Sequence, residues 1–370
     1  MKNLKRILSL VLVSVMVLSL SACIHKKNEI AVKIGDEKFT SAYYMCALTN
    51  AYNEAQQKVK ESDDLTEDEQ NGLAVIDYFS KKIDKKDFKT WVEDRAIEVI
   101  KTNTAYRLLC KENKLELTEE QKNQIENSVY QNWDYYGASA YFTAKGVGRD
   151  TYKEYLTDTY YSELYFKHLY DKEGEKAVKT EDVNKEITDN YILADIIEIT
   201  YADEATDDDK AKDKQTLETY ASQIKSGKKT FAEIYKTHNE IEDDTSEGQE
   251  NADKEDEDTL KPVNEYASIL GAEDTDFAAD EYETYKKYEV DVPTVTENSD
   301  GTGVVLVVKR DISKDAYFMD YLDIYARHSL KDEEFEKTIS DYCKKLKEDV
   351  SKYAISQFKV KDLDNSDTAA

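Results

Sequence analysis

Two prolines, four histidines, four cysteines and eleven glycines are few for a chain of 370 residues. So little proline and glycine is too sparse for a sheet-rich or loop-rich enzyme, whose turns draw on both. The cysteines form no CxxC pair, so neither a redox dithiol nor a zinc site is encoded. The histidines, His25, His168, His238 and His328, are scattered. GxSxG, HExxH, P-loop and GxGxxG motifs are all missing, which removes the common hydrolase, metalloprotease and nucleotide-binding readings. Acidic pairs such as Asp63 and Asp64 sit in polar stretches and read as solvated turns. His168 lies in Tyr165-Phe-Lys-His-Leu-Tyr170 and reads as an ordinary helix histidine. No catalytic residue, cofactor site or metal site is assigned. A basic excess is also lacking: the formal charge is −28, which repels phosphate backbones and excludes nucleic acid as a partner.

What is present begins at the N terminus. Lys2, Lys5 and Arg6 precede an apolar run from Ile7 to Leu20, interrupted only by Ser9, Ser14 and Ser19. At about 14 residues it is shorter than the ~20 a spanning helix needs. It closes on Leu20-Ser-Ala-Cys23, which resembles the lipobox of bacterial lipoproteins. The resemblance implies that residues 1–22 are a cleaved signal peptide, that Cys23 carries a diacylglyceryl thioether, and that residues 23–29 are a lipidated tether. It places the chain outside the cytoplasm, anchored by lipid to the bacterial cell membrane. Losing three positive charges takes the formal charge from −28 to −31 (−28 − 3), so the lipid and not a basic patch has to hold the membrane. Cys46, Cys110 and Cys343 then remain; one disulfide among them suits that compartment, and small buried thiols are the other reading.

Along the chain, Ile30-Ala-Val-Lys-Ile34 alternates as a strand does, with a turn at Gly35 and Asp36 and a helix cap at Thr40 or Ser41. Tyr44, Ala47, Leu48, Ala51, Tyr52 and Ala55 then form a helical stripe. Thr66 and Glu69 have capping-box spacing, as do Thr118 and Gln121. A long helix is predicted over about Phe88–Asn113, and further stripes run through Ile125, Val129 and Trp133 and through Tyr152 to Leu169. The pattern changes at Tyr191: Ile192–Tyr201 reads as a strand, and a helix carrying Leu217, Ala221 and Ile224 stops at Gly227. A short helix carries Phe231, Ile234 and Tyr235, and Asp276–Tyr288 reads as helical. Glu240–Asp258 holds eleven acids and one base with no aromatic; it predicts a disordered loop over 240–260 and lacks the ligand order of a calcium loop. Gly303–Lys309 is nearly all β-branched and predicts a central strand buried on both faces. Asp315 to about Phe358 reads as helix, followed by a polar tail. About three strands are expected in all. The fold class is α+β: a helical body with a small α/β insert.

Several stretches resemble the SurA/PrsA-type foldases, extracytoplasmic chaperones whose helical body is split by a parvulin-like domain. They are Ala31-Val-Lys-Ile-Gly-Asp-Glu-Lys-Phe-Thr40, Lys111–Glu120, Gly146–Tyr155, Lys179–Glu186 and Ile224–Ile234. The resemblance implies an N-terminal chaperone-like segment at 30–190, a parvulin-like domain at 191–310, a C-terminal segment at 311–358 packing on the N-terminal body, and a disordered tail at 359–370. It implies unfolded or nascent exported proteins as partners and leaves oligomeric state unassigned. In that family one histidine falls in the first strand of the insert and another in the last. Here Asp195 or Ala194 and Gly303 stand at those places, so the parvulin-like domain is read as inactive. An active peptidyl-prolyl isomerase stays open, since a pocket that desolvates and twists an amide bond needs no proton-transfer group to lower its ~20 kcal/mol barrier. A solute-binding lipoprotein serving a transporter is the rival from another class.

Overall fold

The structure, a computed structural model, describes residues 29–363 apart from 63, 71, 203, 240–259, 264 and 273–278. The signal segment, Cys23, His25, Asp63, nearly all of the acidic stretch and the end of the tail lie outside the described residues. The fold is α+β. Its described strands are β1 (Ile30–Ile34), β2 (Glu37–Thr40), β3 (Lys82–Ile83), β4 (Lys86–Asp87), β5 (Tyr191–Thr200), β6 (Ala267–Gly271), β7 (Thr294–Glu297), β8 (Gly303–Arg310) and β9 (Glu348–Val350). Every pairing among them is antiparallel. The chain divides into two compact units, one made of the residues up to Leu169 with those from Glu333 on, the other of Tyr170–Asp332.

In the first unit, the body, β1 and β2 form a hairpin, and β9 pairs with the other edge of β1 through Val32↔Val350 and Ile34↔Glu348. Thr40 ends the hairpin and begins a helix, its hydroxyl accepting from the Tyr43 amide at 3.3 Å. That helix, Ser41–Lys60, buries Tyr44, Ala47, Leu48, Ala51, Tyr52 and Ala55, the stripe read from the sequence. The helix Phe88–Glu112 adds Val92, Ala96 and Ile100 to the same core, and the returning chain end adds Ala354, Val360 and Leu363. Both expected capping boxes form: Thr66 with Glu69 and Thr118 with Gln121. Phe335 packs against Tyr106, Tyr165 and Phe166. Cys46, Cys110 and Cys343 are free thiols.

The C-terminal segment departs from the expectation of helix to about Phe358. Helix Ala316–Cys343 stops, and β9 and a short helix, Lys352–Ile355, follow. The open edge of β1 offers backbone partners, with the Gly35 amide donating to the Lys347 carbonyl at 2.8 Å and the Ser351 amide to the Ala31 carbonyl at 2.9 Å. Long-range pairing overrides local helical periodicity there.

In the second unit, the insert, the sheet order is β6-β5-β8-β7. The sequence reading missed β6 and β7, which are short and only partly buried. β8 is the central strand that the sequence predicts, with Val304 to Val308 at most 2% exposed. The helices Asp207–Lys225 and Phe231–His238 cover one face, where Leu217, Phe231 and Ile234 meet Ile197, Val304, Leu306 and Val308. Tyr282 and Tyr285 cover the other against Ile192, Ala194, Val305 and Val307. The first helix ends in a Schellman turn: Gly227, at φ +67°, donates to Ile224 and Lys228 donates to Gln223. The compact unit runs from 170 to 332, beyond the 191–310 read from the sequence. Arg327 is one reason. Its guanidinium is wholly buried and donates to the Tyr170 carbonyl at 2.7 Å, tying helix Ala316–Cys343 to the segment before Thr180.

Candidate functional site

The positions that the family resemblance singled out lie in the insert. Asp195, on β5, is fully buried, and Arg310 on β8 donates to its Oδ2 from Nε at 2.8 Å and Nη2 at 2.6 Å. Arg310 Nη1 reaches Asp291 at 2.7 Å, and burial acts to lower the guanidinium's pKa while the two carboxylates hold it above its ordinary value. Asp291 sits at φ +61°, a left-handed conformation that Asp tolerates better than most residues. Gly303 pairs with Thr200, whereas Asp195 pairs with Val308. Five residues of extended strand separate the two places, roughly 16 Å at ~3.3 Å per residue. A Cβ on Gly303 would meet the Ile199 carbonyl at 2.8 Å, so space fixes this glycine. A cleft of about 500 Å³ opens beside the ion pair, with Leu193, Phe231 and Val263 as its apolar lining and Arg310, Lys314 and Asp315 as its charged one. Its charged groups already have partners: Asp315 accepts from the Val263 amide at 2.9 Å, and Lys314 meets Asp311 at 3.1 Å. The sites expected for two histidines thus hold an ion pair and a space-limited glycine at separate points of the ladder.

The body holds a second cleft of about 640 Å³. Its walls are rings, those of Tyr52, Tyr78, Tyr141, Phe142, Tyr152 and Tyr155. Phe142 and Tyr152 lie 5.1 Å apart and share the buried Trp133 behind them. Tyr155 meets Tyr43 edge-on at 5.4 Å. Burial raises the pKa of Tyr141, Tyr152 and Tyr155, so these three hydroxyls stay protonated. One edge of helix Ser41–Lys60 supplies the polar lining, Thr49, Asn50, Asn53 and Gln56. Gln56 donates to the Tyr52 hydroxyl at 3.3 Å, while the side chains of Asn50 and Asn53 are exposed and make no hydrogen bond among the described residues. Cys46 also faces the cleft, but burial pushes its thiol up to about 12 and leaves it inert at neutral pH. Sequence reasoning found the tyrosine stripe but not the carboxamides; their recurrence at 50, 53 and 56, beside that stripe, was the signal to read.

Behind the cleft, helix Arg149–Tyr170 is anchored by Asp158. This buried carboxylate accepts from the Tyr43 hydroxyl at 2.5 Å and from Arg107 at 3.0 and 2.5 Å. Glu154 and Glu37 lie 3.6 and 3.8 Å from the same guanidinium. Burial raises the carboxyl pKa of both Asp158 and Glu154. Among the described residues no group of His, Cys, Asp and Glu is placed to hold a metal ion, and no helix is long and apolar enough to cross a membrane.

No family model matches the sequence, and no curated protein does. Solved structures do. The chain is similar to the foldase protein PrsA from Streptococcus pneumoniae str. Canada MDR_19A, at 12% identity and TM-score 0.37, over 73% of this chain and 92% of that one. PrsA from Lactococcus lactis matches at 12% identity and TM-score 0.35, over 90% and 99% of the two chains. PrsA from Bacillus subtilis matches at 14% identity and TM-score 0.33, over 72% and 92%.

Proposed function

We propose that this protein is a membrane-anchored, extracytoplasmic folding factor, held by a lipid on Cys23, that shelters unfolded exported chains. The observation that carries the reading is the ring-lined cleft of the body. It presents a wall of protonated tyrosines and two carboxamides with free hydrogen-bonding capacity, a surface that offers contact to apolar side chains and to peptide bonds together. The lipobox segment supports the location. The family resemblance supports the role assigned to the insert, a parvulin-like domain without isomerase activity, and the Asp195–Arg310 pair in place of a histidine fits that assignment. A solute-binding lipoprotein would be built on parallel strands, whereas the described strands all pair antiparallel. The test is a client that aggregates on dilution from denaturant. The full chain at equimolar amounts should slow its aggregation without speeding its proline-limited refolding; no delay at that ratio would sink the folding-factor reading.

A further inference from the structure

Charged residues make up 35% of this chain, yet among the described residues none that lines the body's cleft carries a charge. One ammonium, that of Lys145, is seated 4.1 Å over the ring of Tyr141. From this we infer that the cleft selects uncharged stretches of extended polypeptide and grips them chiefly by their main chain. The inference rests on the folding-factor reading and names its client segment. Each exposed carboxamide, Asn50 and Asn53, offers both a donor and an acceptor, as a peptide bond requires. The rings of Tyr141, Phe142 and Tyr152 take apolar side chains of any shape. A lysine or aspartate entering between them would lose water and meet no charged lining residue, which is costly for a charge and mild for a neutral side chain. The volume, about 640 Å³, falls inside the ~300–1,000 Å³ of ligand clefts and suits a few residues rather than a folded surface.

The test uses the full chain and three fluorescent nonapeptides blocked at both ends: a neutral one of Ser, Gln, Leu and Phe, and two versions with Lys or Asp at two central positions. The neutral peptide should bind at least tenfold tighter than either charged one. Asn50→Trp, which fills the cleft, should weaken neutral binding at least fivefold. Asn53→Asp should do the same and raise the relative affinity of the lysine peptide. Both positions are exposed, so thermal melting should not change. Should Asn50→Trp alter melting, Asn53→Asp alone decides. Equal binding of the three peptides overturns the inference, as does charge discrimination that survives both substitutions. Aggregation suppression that persists with no peptide binding overturns it while leaving the folding-factor reading intact. Selective neutral binding without aggregation suppression upholds the cleft's preference and removes the chaperone role.

Discussion

At Asp195 a carboxylate with no exposure to water is held by the Arg310 guanidinium. Removing the partner of a buried charge costs about 3–5 kcal/mol, so Arg310→Met should destabilise the insert by that order in denaturant unfolding. Asp195→His should not create an isomerase, because position 303 lies five residues along the ladder; catalysed proline-limited refolding by this variant would contradict the geometry. Gly303→Ala forces a Cβ against the Ile199 carbonyl and should cost about 1–3 kcal/mol. Titration at Glu154 and Asp158 has a definite sign. Burial raises both pKa values, so the folded body binds protons that the unfolded chain has already released. Their contribution to stability is full below the ordinary carboxylate range and is lost as pH rises through the raised values. Acidifying from neutral towards the ordinary carboxylate range should therefore raise the body's melting temperature, and Glu154→Gln should flatten that response. Below about pH 4 the opposite group takes over: Glu69 and Asp341, whose salt-bridged carboxyls are held down near 2, lose their contribution as they protonate. The positions of Asp195, Gly303 and Glu69 stood out in the sequence, but the burial of the carboxylates did not. Asp195 and Asp158 are two acids among 79, and only the fold reveals which of them are dry.

The elements were legible in proportion to how local their signals are. Thr118 and Gln121 stand three residues apart, and their reciprocal hydrogen bonds form as read; Thr118→Ala should cost ~1 kcal/mol, measured on the body's unfolding. The helices of 41–60 and 88–112 followed from stripes that bury on one side, and β8 from an unbroken β-branched run. β6, β7 and β9 carry no such signal. Glu348-Asp-Val350 is a strand only because β1 has an edge to pair with, and that edge is invisible from residues 344–351 alone. The body's cleft was half legible: its rings follow helical spacing, whereas Asn50, Asn53 and Gln56, although they recur along the same helix, carry nothing that sets their type apart from ordinary solvated positions. Packing of the late helix is equally specific. Phe335 lies among Tyr106, Tyr165 and Phe166, so Phe335→Ala should destabilise the body by about 3–5 kcal/mol.

For the whole molecule, the body draws on both ends of the chain and the insert on one continuous stretch. Phe166 and Phe335 touch, with ring centroids 5.2 Å apart, so the two cut ends at 169 and 333 lie close within the body. Joining Leu169 to Glu333 through a short linker should leave a body that melts cooperatively, and residues 170–332 alone should give a folded domain. A body that unfolds after this excision would show that the two units share their stability. The pairing of β1 with β9 also sets a timetable. Lys33 and Asp349, joined across that pairing, are 316 residues apart. A chain that emerges N-terminus first completes its insert while β1 still waits for a partner made last, and closing so long a loop costs about 5 kcal/mol by the (3/2)RT ln n rule. Until the final residues arrive the body has an open sheet edge and lacks Ala354, Val360 and Leu363 from its core. A protein built this way is, for nearly the whole of its own synthesis, the kind of unfinished chain that it is proposed to shelter.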